Sequence, residues 1–182
     1  MNKKIILILS LLIIGILGRI IPHPPNVTAM IAIALLSSHA FKNKWIALLN
    51  PLAGWWISDL IINNLFLNTY FETFTWLYPG FLWQYSSFCI IILIGYFSLK
   101  KLSLKKVFLS TITSSLLFFI ITNFGVWISG SLYPLNISGL ITCYILAIPF
   151  FKGTLLGFLF YSSFLFGAFE LFKSKLLLNN QF

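Results

Sequence analysis

The chain has 182 residues, of which 59% are hydrophobic and 8% charged, and its mean hydropathy is +0.98. A water-soluble domain of this length cannot accommodate that composition, so residues 1–182 read as a single transmembrane domain in contact with the lipid bilayer, with no room for a soluble catalytic domain. The net charge of +9 does not imply a nucleic-acid partner, because the basic residues mark the borders of apolar stretches and form no clustered face.

The first apolar stretch, 5–21, follows Lys3 and Lys4. It starts as a signal peptide does, but no small-x-small site precedes a polar continuation, so an uncleaved first helix is expected. It runs into R-x-x-P-H-P-P-N, from Arg19 to Asn26, where three prolines enforce a rigid, extended path. One use of such a connection is a stiff lid at an outer mouth, with His23 above it as a group that titrates near neutrality. The alternative is a local cap on the second helix, for which Asn26 or Thr28 supplies the oxygen.

The second stretch, 27–41, is short and ends at Lys42 and Lys44. The third, 45–67, places Trp55, Trp56, Asp59 and Asn63 on one helical face. The connection that follows has no lysine and is dense in Tyr70, Phe71, Phe74, Trp76 and Tyr78, with Trp83 just beyond, as an aromatic belt at headgroup level would be. The fourth stretch, 80–99, leads into Lys100, Lys101, Lys105 and Lys106, and the fifth, 107–128, carries Asn123 and Trp127. Residues 138–151 are too short for a span and contain Pro149, which predicts a short outer interfacial or re-entrant helix. The last stretch, 153–172, ends at Lys173 and Lys175.

Lysines thus fall on every second connection, Lys152 alone being out of step. The positive-inside bias then predicts an all-α integral membrane protein, a six-transmembrane-helix bundle with both termini cytoplasmic. Glu170 and Lys173 are expected to form a surface pair near the inner end.

Polar side chains at membrane depth are costly unless paired or facing a cavity. At 1.5 Å per residue, Arg19 and Asp59 both lie about 21 Å from the inner face and Asn123 about 24 Å, while Gln84 sits about 6 Å below the outer end of its helix. One reading is a ligand pocket built from Arg19, His23, Asn26, Trp55, Trp56, Asp59, Gln84, Asn123 and Trp127, since aromatic walls with a few directional polar groups usually line small-molecule sites. The other is polar glue, an Arg19–Asp59 ion pair with Asn123 and Gln84 bridging helices. Cys89 and Cys143 carry no metal or nucleophile pattern, and no cofactor is expected.

The R-x-x-P-H-P-P-N-x-T opening, the P-L-A-G…S-D stretch from Pro51 to Asp59, the N-F-G-V-W run from Asn123 to Trp127, Tyr133-Pro134, Gly139-Leu140 and Pro149-Phe150-Phe151 resemble a family of small, uncharacterised bacterial integral-membrane proteins. That family in turn resembles the substrate-binding S components of energy-coupling-factor transporters. The resemblance implies a non-enzymatic subunit that captures a small solute, such as a vitamin, and docks through small residues onto a coupling membrane subunit driven by ATPases in trans. Thr28 with Ala32, Ala34 with Ser38 and Gly153 with Gly157 are candidate ridges for that docking, or for packing inside the bundle. No Walker A sequence is present, so any energy comes from a partner. A standalone proton-coupled carrier using Asp59, and a structural or assembly subunit of a membrane complex, are the alternative classes.

Overall fold

The computed structural model describes residues 3–71 and 73–175, the side chains of 174 and 175 excepted. Among the described residues all regular structure is helical: α1 (Lys3–Ile20), α2 (Met30–Ala40), α3 (Lys44–Ile61), α4 (Phe81–Ser98), α5 (Leu104–Ile128) and α6 (Ile137–Lys175), with a turn of π-helix, Ile62–Phe66, prolonging α3. Among the described residues, four segments are long and apolar enough to cross a bilayer, namely Lys44–Phe66, Phe81–Ser98, Leu104–Ile128 and Ile137–Lys173. α1 matches α4 in length but carries Lys3, Lys4 and Arg19.

α2 organises the bundle. Its 11 residues reach about 16 Å, half a hydrocarbon core, and all of them except His39 are buried. A helix that is apolar on every side has to be surrounded by others. The surrounding helices turn Ile13, Leu49, Leu93, Leu116 and Phe160 outward, so large apolar side chains coat the exterior as well as the core. That distribution suits a lipid-facing surface.

Two differences from the expected helix boundaries bear on the site. The helix expected from residue 27 begins at Met30, after a non-helical segment in which Asn26 takes a left-handed φ of 64°. Ala29 occupies the N-cap without a side-chain bond, so neither Asn26 nor Thr28 caps α2. With Pro22, Pro24 and Pro25 this segment lacks three N–H donors, and asparagine is one of the few residues that tolerates the left-handed region.

The short outer helix expected over residues 138–151 is not a separate element. It is continuous with the last stretch in a single helix of 39 residues that passes through Pro149. Proline keeps a helical φ and removes one main-chain bond, a loss that packing neighbours absorb in apolar helices. Asn136 starts this helix, its side-chain oxygen accepting from the Gly139 N–H at 2.8 Å.

Hydrogen bonds pin α6 to α5 at two levels: the Cys143 thiol donates to the Asn123 carbonyl at 3.4 Å, with the Tyr144 hydroxyl beside it donating to the Ile120 carbonyl at 2.7 Å, and the Thr111 hydroxyl donates to Ser162 Oγ at 2.9 Å. Between these levels the chain follows about 28 Å of helix along α6 but about 18 Å along α5. α6 therefore cannot run straight and parallel beside its neighbour. Ala147, Phe150, Phe151 and Thr154 lie in the excess length and line the cavity described below.

The small-residue ridges are consumed by internal packing. Ala32, Ala34 and Ser38 are buried. A Cβ on Gly153 would lie 2.7 Å from the Pro25 carbonyl oxygen, and one on Gly157 would lie 2.9 Å from Val27 Cα. The segment before α2 is therefore wedged against the glycines of α6. At the opposite end Lys173 pairs with Glu170 at 3.2 Å on the surface, as expected; the side chain of Lys175 is outside the described residues.

Candidate functional site

The end of α1 and the last turns of α3 meet at an ion pair. Arg19 Nη1 lies 2.7 Å from Asp59 Oδ1, and the two side chains are 14% and 6% exposed. The same guanidinium donates to Ser58 Oγ at 2.7 Å and to the Trp55 carbonyl at 3.1 Å, while its Cζ sits 3.8 Å from the centroid of the Trp55 ring. The Ser58 hydroxyl in turn donates to the Trp55 carbonyl at 2.7 Å. Residues 55, 58 and 59 fall within about one turn of helix, so a single turn of α3 offers a ring face, a hydroxyl and a carboxylate to one arginine. Phe88 of α4 backs the Trp55 ring at 4.7 Å.

This ion pair forms one wall of a cavity of about 720 Å³, within the size range of small-molecule sites. α1 and the connection after it contribute Arg19, His23, Asn26 and Thr28, and α3 with its π-turn contributes Trp55, Asp59 and Asn63. Tyr78, Trp83 and Gln84 close one side, Phe118, Phe119, Thr122 and Asn123 of α5 another, and α6 supplies the remaining face.

The site is tied together from outside. Asn64 of the π-turn donates to the Thr75 carbonyl at 3.0 Å and accepts from the Thr75 N–H at 2.7 Å, which fixes the connection that delivers Tyr78. The Tyr78 hydroxyl donates to Gln84 Oε1. Burial raises the Tyr78 phenol above its ordinary range, and the Asp59 carboxylate adds to the shift, so the hydroxyl remains a donor at physiological pH. His23 Nδ1–H donates to the Pro24 carbonyl at 2.8 Å. Asn123 directs its amide N–H to the Phe119 carbonyl at 2.8 Å.

Seven of the nine residues read from the sequence therefore border one space: Arg19, His23, Asn26, Trp55, Asp59, Gln84 and Asn123. Trp56 and Trp127 do not. The Trp56 indole N–H donates to the Trp76 carbonyl at 3.2 Å and its ring stacks on Trp76, whereas Trp127 donates to the Pro134 carbonyl at 3.0 Å and braces the connection into α6. Sequence reasoning passed over Tyr78 and Trp83, which it assigned to an aromatic belt, and it did not connect Phe150 and Phe151 with a site. A usable signal preceded the N-F-G-V-W run, since Phe119 lies four residues before Asn123 and shares its helical face.

The fold and this site together define an all-helical bundle built around a polar-walled, aromatic cavity, with four helices suited to crossing a bilayer. The chain belongs to the family of unknown function DUF6580, whose model matches residues 1–180. Among curated proteins and solved structures, none matches it.

Proposed function

We propose that this protein is a binding subunit of the bacterial cytoplasmic membrane that captures a small solute from the outer side for uptake, a role like that of the S components its sequence resembles. The observation that carries this reading is the coincidence, in one cavity of about 720 Å³, of an aromatic lining with polar side chains brought from four helices: Arg19, Asp59, Gln84 and Asn123. Polar glue accounts for the Arg19–Asp59 ion pair. It does not account for an aromatic-walled cavity of this size beside the pair, because polar groups serving only to join helices need no open space between them.

Two further features support a transport role. The chain before α2 is non-helical and borders the cavity, and membrane carriers commonly build ligand sites where a helix is interrupted and irregular backbone lines a cavity. A π-turn carries Asn63, and single π-turns within helices occur frequently at functional sites. Docking onto a coupling subunit cannot use the ridge of α2, which is buried.

The test is thermal stabilisation of the purified full-length protein across vitamins, nucleobases and other small solutes, combined with purification from native membranes under mild detergent. A ligand at 100 times its Kd should add about 2.7 kcal/mol of stability. Stabilisation by a solute and co-purification with a membrane coupling subunit and ATPases are the expected results. Stabilisation without partners would replace the subunit reading with a standalone carrier, and stabilisation by nothing would favour a scaffold.

A further inference from the structure

A second cavity, of about 480 Å³, lies between the start of α5 and the end of α6, away from the solute cavity. Its floor is buried and consists of Val107, Thr111, Ser162 and Phe166. Its rims face the exterior, with Leu104 at 91% and Phe108 at 52% exposure on α5, and with Ser163, Gly167 and Glu170 exposed on α6. A Cβ on Gly167 would meet nothing within 4 Å, so among the described residues no side chain fills the space over that glycine.

The cavity is therefore a groove on the outside of the bundle, and its length matches one leaflet of a bilayer. From Leu159 to Glu170 it follows α6 for about 16 Å, close to half of a hydrocarbon core of about 30 Å. The hydroxyls along it are already engaged, Thr111 with Ser162 at 2.9 Å and Ser163 with the Leu159 carbonyl at 2.8 Å. What the walls offer a guest is apolar contact.

The end of the groove at Ser103 and Leu104 is basic, because these two residues sit between Lys100 and Lys101 on one side and Lys105 and Lys106 on the other. Lys100 is drawn toward α4, 5.9 and 5.7 Å from the Tyr96 and Phe97 rings, whereas Lys101, Lys105 and Lys106 are exposed. Leu104, Val107, Phe108 and Thr111 define the face of α5 that borders the groove. Lys105 stands three residues before Phe108 and so beside that face, while Lys106 is about 200° around the helix from Leu104 and lies on the far side. The acidic group on the opposite rim, Glu170, is paired with Lys173 at 3.2 Å. An apolar groove as long as one leaflet thus ends at a cationic mouth.

We propose that the groove holds an anionic phospholipid from the leaflet at the lysine end, with one acyl chain along α5 and α6 and the headgroup phosphate paired with Lys105 and Lys101. Charge complementarity at the mouth selects an anionic headgroup, since basic pockets between membrane helices bind such lipids, and the apolar length of the groove selects a lipid over free phosphate. The site is separate from the solute cavity and does not depend on a role in uptake.

The experiment uses the full-length protein in detergent, with phosphatidylglycerol and phosphatidylcholine of identical acyl chains as probes. The readouts are lipid retained in native mass spectrometry and melting temperature. Phosphatidylglycerol should be retained about tenfold or more tightly than phosphatidylcholine, each lysine contact being worth roughly fivefold. Lys105→Gln should reduce that preference about fivefold, whereas Lys106→Gln, the same change of charge on the far side of α5, should leave it unaltered. Gly167→Leu, which fills the groove, should lower retention of both lipids and leave the melting temperature of the delipidated protein unchanged or higher, because the space is open and leucine favours helix over glycine. Equal losses in Lys105→Gln and Lys106→Gln would reduce the effect to diffuse attraction by the basic end and overturn the site. Absence of any preference for phosphatidylglycerol, or unchanged retention in Gly167→Leu, would overturn it as well. A dimer that retains no lipid and that Gly167→Leu dissociates would assign the groove to a second copy of the chain instead.

Discussion

Arg19 illustrates how much a single side chain organises here, because four separate contacts join it to one turn of α3: a carboxylate, a hydroxyl, a carbonyl and a ring face. Breaking a buried pair leaves an uncompensated charge, so Arg19→Met or Asp59→Asn alone should cost about 3–5 kcal/mol of stability. Neutralising both should cost less than the sum of the two, as measured by a double-mutant cycle of unfolding in detergent. Strict additivity would mean that the two residues stabilise the bundle independently. This pair was legible in the sequence because helix rise is constant, and counting residues from the inner end places Arg19 and Asp59 at the same level. The tryptophans were less legible. Residues 55 and 56 differ by about 100° around the helix axis, so only one of them can face the cavity, and composition cannot say which. Tyr78 was hidden for another reason: an aromatic ring between two apolar stretches reads equally well as a headgroup anchor and as a pocket wall, and only the Asn64–Thr75 bonds that hold its connection down distinguish the two.

Among the elements, α6 departs furthest from its sequence signature. Pro149 and the adjacent Lys152 read as a boundary, yet the helix continues through both and Lys152 points to the exterior. Local rules locate where a helix bond is lost but not whether tertiary packing compensates for that loss, which is why a short outer helix was expected. The glycines of α6 serve different purposes. Gly157 has the backbone of Val27 against it, whereas nothing lies within 4 Å of a Cβ placed on Gly167. Gly157→Ala should therefore force the Pro25 to Val27 segment away from α6, costing about 1–3 kcal/mol and weakening solute binding through the displaced His23 and Asn26. Gly167→Ala should be neutral or stabilise by up to about 1 kcal/mol through helix propensity. Thermal unfolding of the two variants side by side checks both expectations, and equal destabilisation would remove the close approach at Gly157 as the cause.

For the whole molecule, contacts between helix ends fix relative directions. Arg19 and Asp59 lie near the C-terminal ends of α1 and α3, so those helices run parallel and α2 returns between them. Lys44 at the start of α3 and Lys100 after α4 lie 5.4 and 5.9 Å from the Tyr96 ring, which gathers two of the lysine connections at one end of the bundle. The cavity, with His23 and Gln84 in its lining, belongs to the other end. A bundle with its lysines at one end and its cavity at the other should insert with the lysines in the cytoplasm, because that excess of positive charge sets orientation. In a background carrying Cys89→Ser and Cys143→Ser, Lys101→Cys should react with an impermeant maleimide only after the membrane is opened, whereas Phe74→Cys, exposed in the aromatic connection, should react in intact cells. The opposite labelling pattern would turn the cavity toward the cytoplasm. The uptake reading would then fail even with every residue of the site in place, because a solute could reach Asp59 only from the side on which it was to be delivered.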